Sequence, residues 1–219
     1  MNIIQTWKDE NMPHMYKCLS DKVQFHNPNW NYMFFTDSDI LNFIEEKMPE
    51  RYSTFQKFKY KIQQLDYFRY LAIYYYGGVY LDLDMNILDS LDDLYNIKPD
   101  LCKFPVELTN INDTIITKQD FTYLIGNYAF YAPPKHPFIK RIIDNIDTQR
   151  INDNDIKIAQ SENADPPSQV YVYCTTGPLL VTQSYIDDSS NVKLLVPTPI
   201  KHNCFGDYGM HLSHGNWKI

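Results

Sequence analysis

The chain has 219 residues, 44% of them hydrophobic and 21% charged, with a formal net charge of −7. That balance excludes global disorder, and the negative sign excludes a nucleic-acid surface or a polybasic membrane patch. An anionic ligand therefore needs a local cation, because the field of the whole molecule repels it.

Ile3-Ile4 begins a short strand that stops at Gln5-Thr6-Trp7. Residues 12–25 predict a helix entered through Pro13, a residue suited to a first helical turn. Asn27-Pro28-Asn29 is a turn, Trp30 to Phe35 a second strand, and Thr36-Asp37-Ser38-Asp39 a cluster able to cap a helix from about Ile40 to Met48. The strongest helical pattern covers residues 53–76, where Phe58, Ile62, Leu65, Phe68, Leu71, Ala72 and Tyr75 recur at helical spacing. Gly77-Gly78 ends it, and Val79 to Leu83 reads as a short buried strand. Further on, Phe121 to Ala132 reads as β structure with Gly126-Asn127 inside it. His136-Pro137-Phe138 opens a helix to about Ile146. Residues 149–168 read as a polar, mobile loop, Val170 to Tyr173 as a strand, and Thr175-Thr176-Gly177-Pro178 as a turn into another helix. Alternating strands and helices with no composition break predict one α/β domain over 1–219, with a mixed, mainly parallel sheet flanked by helices.

Cys18, Cys102, Cys174 and Cys204 form no C-x-x-C pair, so they read as reduced, mostly buried thiols. Met1 to Lys8 is too poor in apolar residues for a signal peptide, and no run approaches the roughly 18 apolar residues of a membrane span. The expected location is the cytoplasm. Usage rich in Asn, Ile, Lys and Tyr suggests an AT-rich genome, microbial or viral, and hence a microbial cytoplasm or that of a viral host.

The chemistry concentrates in Tyr74-Tyr75-Tyr76-Gly77-Gly78-Val79-Tyr80-Leu81-Asp82-Leu83-Asp84. Side chains two apart on a strand face the same way, so Asp82 and Asp84 at a strand end would share one crevice. Ligands of open α/β sheets bind at such carboxyl ends. Two adjacent carboxylates resist joint ionisation, and a divalent cation with a preference for oxygen, Mn²⁺ or Mg²⁺, removes the conflict. Such an ion is suited to the diphosphate of a nucleotide. The plain alternative is a pair of solvent-facing aspartates in a loop. Asp66 and Arg69, three apart on the preceding helix, are either a surface ion pair or a partly buried pair able to hold sugar hydroxyls. Their neighbours Leu65, Phe68 and Tyr70 favour burial.

Asp66-Tyr67-Phe68-Arg69-Tyr70, Tyr74 and Gly77-Gly78-Val79-Tyr80-Leu81-Asp82-Leu83-Asp84 together resemble the sugar-binding region of the DXD glycosyltransferases of family 32, the group of the yeast initiating α-1,6-mannosyltransferase. More distantly they are similar to the clostridial glucosylating toxins. Ile3 to Lys8, Asn27 to Trp30 with Phe35 to Asp37, Asn127 with His136-Pro137, Thr176-Gly177-Pro178, and His211 six residues before Trp217 look like further landmarks of that family. The resemblance implies a GT-A fold and transfer, with retention, of a hexose or N-acetylhexosamine from a UDP- or GDP-sugar to a glycan, lipid or protein acceptor. It makes Asp84 the principal ligand of Mn²⁺ or Mg²⁺, and puts Asp82 at the ribose, the donor sugar and the metal. Asp66 and Arg69 fall at sugar hydroxyls, Thr6 and Trp7 at the base and ribose, and His211 at the metal. Asn216 and Trp217 close over the diphosphate, although many relatives carry serine where this chain has Asn216. Tyr80 and Asn127 are carried as donor-site residues. Asn127 equally suits a turn, and His214 is the alternative to His211.

Two other readings compete. Haloacid-dehalogenase-type phosphatases also end a buried strand with Asp-x-Asp, and Tyr173 to Gly177 resembles their second motif. They leave Asp66 and Arg69 unexplained, however, and their motif opens the fold. The other is a nucleotide-sugar-binding module without turnover.

Overall fold

The computed structural model describes residues 1–109, 123–198 and 201–215. The apolar pair Ile3-Ile4 forms β1 (Asn2–Thr6), which lies between β2 (Asn31–Phe35) and β3 (Gly78–Leu81) and runs parallel to both. β7 (Ala129–Ala132) lies antiparallel against β3, and β5 (Cys102–Thr109) antiparallel against β7. On β5, β6 (Tyr123–Ile125) pairs antiparallel and β8 (Val192–Leu195) parallel. Strands β1, β2, β3, β5 and β8 thus share one direction, and only β6 and β7 return. This is the mixed, mainly parallel α/β sheet expected from the sequence.

Period-two alternation sorts the strand side chains onto two faces. Ile3, Val79, Leu81 and Tyr131 join a core with Val23 of α1 (His14–His26) and Leu94 of α5 (Asp92–Asn96). Ile4, Tyr80, Phe104 and Phe130 join the larger core on the other face. There they meet α2 (Asp37–Lys47), α3 (Tyr52–Lys57), α4 (Lys61–Tyr76), α6 (Pro137–Asp147), α7 (Asp153–Glu162), α8 (Pro167–Thr175) and α9 (Pro178–Asp187). A second sheet, ordered β4-β10-β9, joins β4 (Met85–Ile87) to β10 (Gly209–His211) and β9 (Cys204–Phe205) near the end of the sequence.

Thr36 caps α2 as its sequence suggests: Asp39 N–H donates to Thr36 Oγ1 at 3.3 Å, and Asp39 Oδ2 accepts from Thr36 N–H at 2.9 Å. The pattern over 53–76 is two helices, not one. The chain is extended at Phe58 and Tyr60, and Gln63 Oε1 accepts the Tyr60 N–H at 3.0 Å to restart the helix. Every residue of α4 from Asp66 to Ile73 is buried, so its apolar pattern is not a single stripe. The stretch read as a mobile loop contains α7. Its Asn152 caps the backbone N–H groups of Asn154 and Asp155, which explains why an Asn/Asp-rich segment is helical. Val170 to Tyr173 is helical rather than a strand: Pro167 sits in the first turn and tertiary burial of Val170, Val172 and Cys174 overrides β propensity. Of the segment 121–132, residues 121 and 122 lie outside the described residues, and the rest is two strands, β6 and β7, with Gly126 to Tyr128 between them.

All four cysteines are free, Cys18 exposed and the others buried. Among the described residues no helix is long and apolar enough to cross a membrane.

Gly78 opens β3 at φ +112°, where an added Cβ would overlap the Asn2 carbonyl oxygen of the paired strand. Both the dihedral and the space demand glycine. Gly78→Ala is expected to lower unfolding free energy by at least about 2 kcal/mol, read as a shift in the urea midpoint at unchanged m-value.

Candidate active site

The edge of the sheet where β1 and β3 end carries the expected carboxylates, but their backbone setting differs. β3 stops at Leu81, and Asp82 to Met85 form a turn closed by Met85 N–H to Asp82 O at 3.1 Å. Asp82 and Asp84 are thus aimed by a turn and not by strand alternation. The turn is anchored on both sides: Asp82 N–H donates to Tyr128 O at 2.7 Å, and Gln5 Nε2 reaches Asp82 O at 3.3 Å. Tyr80 OH donates to Asp82 Oδ1 at 2.8 Å and lies 3.5 Å from Thr6 Oγ1. Trp7 leans on Tyr16 with ring centroids 5.1 Å apart, and its buried indole N–H has no partner among the described residues.

From α4, Asp66 and Arg69 enter below this turn, both side chains only 5% exposed. Asp66 Oδ1 takes the Arg69 guanidinium at 3.2 Å and Asn127 Nδ2 at 3.1 Å, while Oδ2 takes Thr176 Oγ1 at 2.8 Å. Arg69 donates to Asn127 O at 2.7 Å, lies 3.4 Å from Asp82 Oδ1, and packs its guanidinium over the Tyr80 ring at 4.6 Å. The pair is therefore buried, not a surface bridge. Arg69 ties Asp66 to Asp82, and its Nε–H has no partner among the described residues. Burial pushes the Asp66 carboxyl up to about 6, although Arg69 and Thr176 pull it down. Burial likewise opposes the charge on Arg69, but Asp82, Tyr80 and Asp66 outweigh it and hold the guanidinium firmly protonated.

The third ligand-type group arrives on β10, whose pairing with β4 sets His211 opposite Met85. His211 Nε2 is 3.0 Å from Asp84 Oδ1 and 3.9 Å from Asp82 Oδ2, and its ring stacks on Tyr128 at 4.4 Å. His214 contributes only its backbone N–H, to Asp84 Oδ2 at 3.0 Å, and its ring lies against Tyr16. Donor atoms of Asp82, Asp84 and His211 all fall within 4.8 Å of one another. Burial raises the Asp82 carboxyl. At Asp84 burial acts the same way, but hydrogen bonds from His211 and His214 outweigh it and leave the carboxyl below its usual range. Two carboxylates and an imidazole fit Mn²⁺ or Mg²⁺, and a cation there would relieve the repulsion.

These groups line a cavity of about 950 Å³ that also takes in Thr6, Trp7, Asn127 and His214. Asn216 and Trp217 lie outside the described residues. Glu107 on β5 and Tyr128, which lines the cavity and carries His211, had no signal in the sequence: neither belongs to a motif. Thr176 was visible as a landmark, but not as the partner of Asp66. Burial pushes the Glu107 carboxyl up to about 7.

Residues 13–100 match the family described as glycosyltransferase sugar-binding region containing DXD motif. This region belongs to the DXD glycosyltransferases. Asp66, Arg69, Tyr80, Asp82 and Asp84 fall inside the matched sugar-binding region, and Thr6, Trp7, Asn127 and His211 outside it. Inositol phosphoceramide mannosyltransferase 1 of Schizosaccharomyces pombe is 31% identical over 147 residues, which cover 66% of this chain and 41% of that protein. The initiation-specific alpha-1,6-mannosyltransferase of Saccharomyces cerevisiae is 24% identical over 183 residues, 65% of this chain and 38% of its own length. The chain thus spans about two fifths of the length of these curated relatives. In fold it is similar to the ligand-free glycosyltransferase domain of the YGT toxin, with a TM-score of 0.56 at 10% identity over 88% of this chain and 79% of that one. This is the GT-A architecture that the DXD sugar-binding region implies. The phosphatase reading finds no support: Tyr173 to Thr175 belong to the end of a helix, and Thr176 is spent on Asp66.

Proposed function

We propose that this chain is a metal-dependent, retaining glycosyltransferase that moves a hexosyl group from a nucleoside diphosphate sugar to an acceptor hydroxyl. The observation that carries the reading is the convergence of Asp82, Asp84 and His211 at the mouth of a cavity backed by the buried Asp66–Arg69 pair. Asp84 and His211, with Asp82, would hold Mn²⁺ or Mg²⁺, which would supply positive charge for a departing diphosphate. Thr6 and Trp7 border the nucleotide. Asn216 and Trp217 are proposed to close over the diphosphate. Arg69 fixes Asp82 in place, and Asn127 and Asp66 border the sugar. The acceptor attacks from the face the nucleotide leaves, so the reading needs no protein nucleophile. Fixed dipoles and charges supply most of the acceleration.

A mannosyl donor comes first, because the relatives are named as mannosyltransferases. A glycan or a lipid with a polyol head is the favoured acceptor, since one relative is named for inositol phosphoceramide. The test is nucleotide release from UDP- and GDP-sugars (mannose, glucose, galactose, N-acetylglucosamine) with Mn²⁺ or with EDTA. Release from one donor that disappears with EDTA is expected. Binding of every donor without turnover, or phosphate release from p-nitrophenyl phosphate, overturns the reading.

A further inference from the structure

We propose that Glu107 is an acceptor-binding residue, its carboxylate accepting a hydrogen bond from a hydroxyl of a sugar or polyol acceptor. The inference rests on the transferase reading and adds a residue that neither the motif nor the metal cluster includes.

Strand register brings Glu107 to the site. Val79 of β3 pairs with Tyr131 of β7, and Tyr131 pairs with Lys103 of β5. β3 and β5 run in one direction, so Asp82, three residues past Val79, and Glu107, four past Lys103, come to the same edge of the sheet. The strand order β1-β3-β7-β5 sets them on different flanks. Thr6 ends β1 and Trp7 follows it, on one side of the carboxylate turn. Glu107 lies on the other side, roughly 10 Å across the sheet from β3 at ordinary strand spacing. A donor with its nucleotide at β1 and its diphosphate at the turn would extend its sugar towards Glu107.

The backbone at Glu107 is built for redirection. The β5–β6 register shifts between Val106 and Leu108, which makes Glu107 the extra residue of a bulge. Bulges re-aim side chains beside active sites. Here the carboxyl lines the same cavity as Asp66, Asp82 and His211. It feels the charges of His211 and Asp82, yet no described residue hydrogen-bonds to it. It also lies outside the group whose donor atoms converge for a metal. A half-buried carboxylate left without a donor among the described residues costs free energy, and an ionised carboxylate can only accept. Hydroxyl hydrogens of an incoming polyol match that requirement. Tyr173, on α8, lines the same flank, with its hydroxyl 3.0 Å from Asp165.

The experiment measures nucleotide release from the best donor with Mn²⁺ in water alone, then with methyl α-mannopyranoside or myo-inositol as acceptor probe, for the wild type, Glu107→Ala and Glu107→Gln. The ratio of transfer to hydrolysis should fall about tenfold or more in Glu107→Ala, as for loss of a hydrogen bond to a charged group, through a higher KM for the polyol. Glu107→Gln, whose amide oxygen still accepts, should keep part of the ratio. Neither variant should melt below the wild type, because an unsatisfied carboxylate is being removed. An unchanged ratio, a parallel loss of hydrolysis and transfer, or a lowered melting temperature overturns the proposal. So does a wild type that hydrolyses the donor but is accelerated by neither probe. A wild type with no donor turnover at all defeats the transferase reading instead.

Discussion

Asp84→Ala should lower metal-dependent donor turnover by about 10³-fold or more, the order expected when preorganised charge at a leaving group is lost. Asp84 is the acid that His211 and the His214 amide hold ionised, so it is the group of the turn best prepared to grip a cation. Its removal relieves Asp82 of a repelling neighbour but forfeits the contacts with His211 and the His214 amide that hold Asp84 ionised, so a modest loss of stability is expected in the metal-free fold. The decisive measurement is the Mn²⁺-induced rise in melting temperature, which should be present in the wild type and absent in the variant. His211 is proposed to bind metal as a neutral ring. Burial lowers its proton affinity, but Asp84 and Asp82 raise it further, to a net value above the usual one. Mn²⁺ affinity of the wild type should therefore climb with pH until the imidazolium has lost its proton, and level off above that point. Retained Mn²⁺ stabilisation in Asp84→Ala would remove the residue from the metal site.

Arg69→Ala should destabilise the fold by about 3–5 kcal/mol, the usual result of leaving a buried charge uncompensated. Asp66 would keep Asn127 and Thr176 but lose its countercharge, and Asp82 would lose the guanidinium 3.4 Å from Oδ1. Arg69→Lys separates charge from shape. One ammonium cannot reach Asn127 O, Asp66 and Asp82 together or lie flat on Tyr80 as the guanidinium does. Its kcat/KM is expected to fall roughly 10²-fold through misplacement of Asp82, with a smaller loss of stability than in the alanine variant. Chemical denaturation alongside donor turnover checks both. A lysine variant indistinguishable from wild type would show that positive charge alone suffices.

Much of the architecture was legible because a few residues act locally and strongly. Thr36 with Asp39, Gly77-Gly78 and His136-Pro137 each mark an element boundary by their own chemistry, and the structure has boundaries at all three. β5 escaped notice because Pro105 and the buried Lys103 interrupt its pattern. Lys103 is tolerated there since it donates to the Leu94 and Lys98 carbonyls and packs its ammonium on Tyr131. The helix at Val170 to Tyr173 depends on neighbours distant in sequence, which local propensity does not contain. For the site, the aspartates and Arg69 stood out through spacing. The bridge from Arg69 to Asp82 and the closure of Asp66 by Thr176, 110 residues away, exist only after packing. Glu107 had no signal at all, being a lone acid whose aim is set by a register shift.

The pairing of β10 with β4 has a consequence for biosynthesis. It joins a strand that starts at Met85 to one that ends at His211, so the imidazole is translated long after the two acids it meets. Most of the scaffold can collapse on the ribosome while the coordination sphere stays open on one side. A polypeptide released before that histidine would retain both acids of the turn yet lack the base between them, so catalytic competence should appear only after elongation has passed this point.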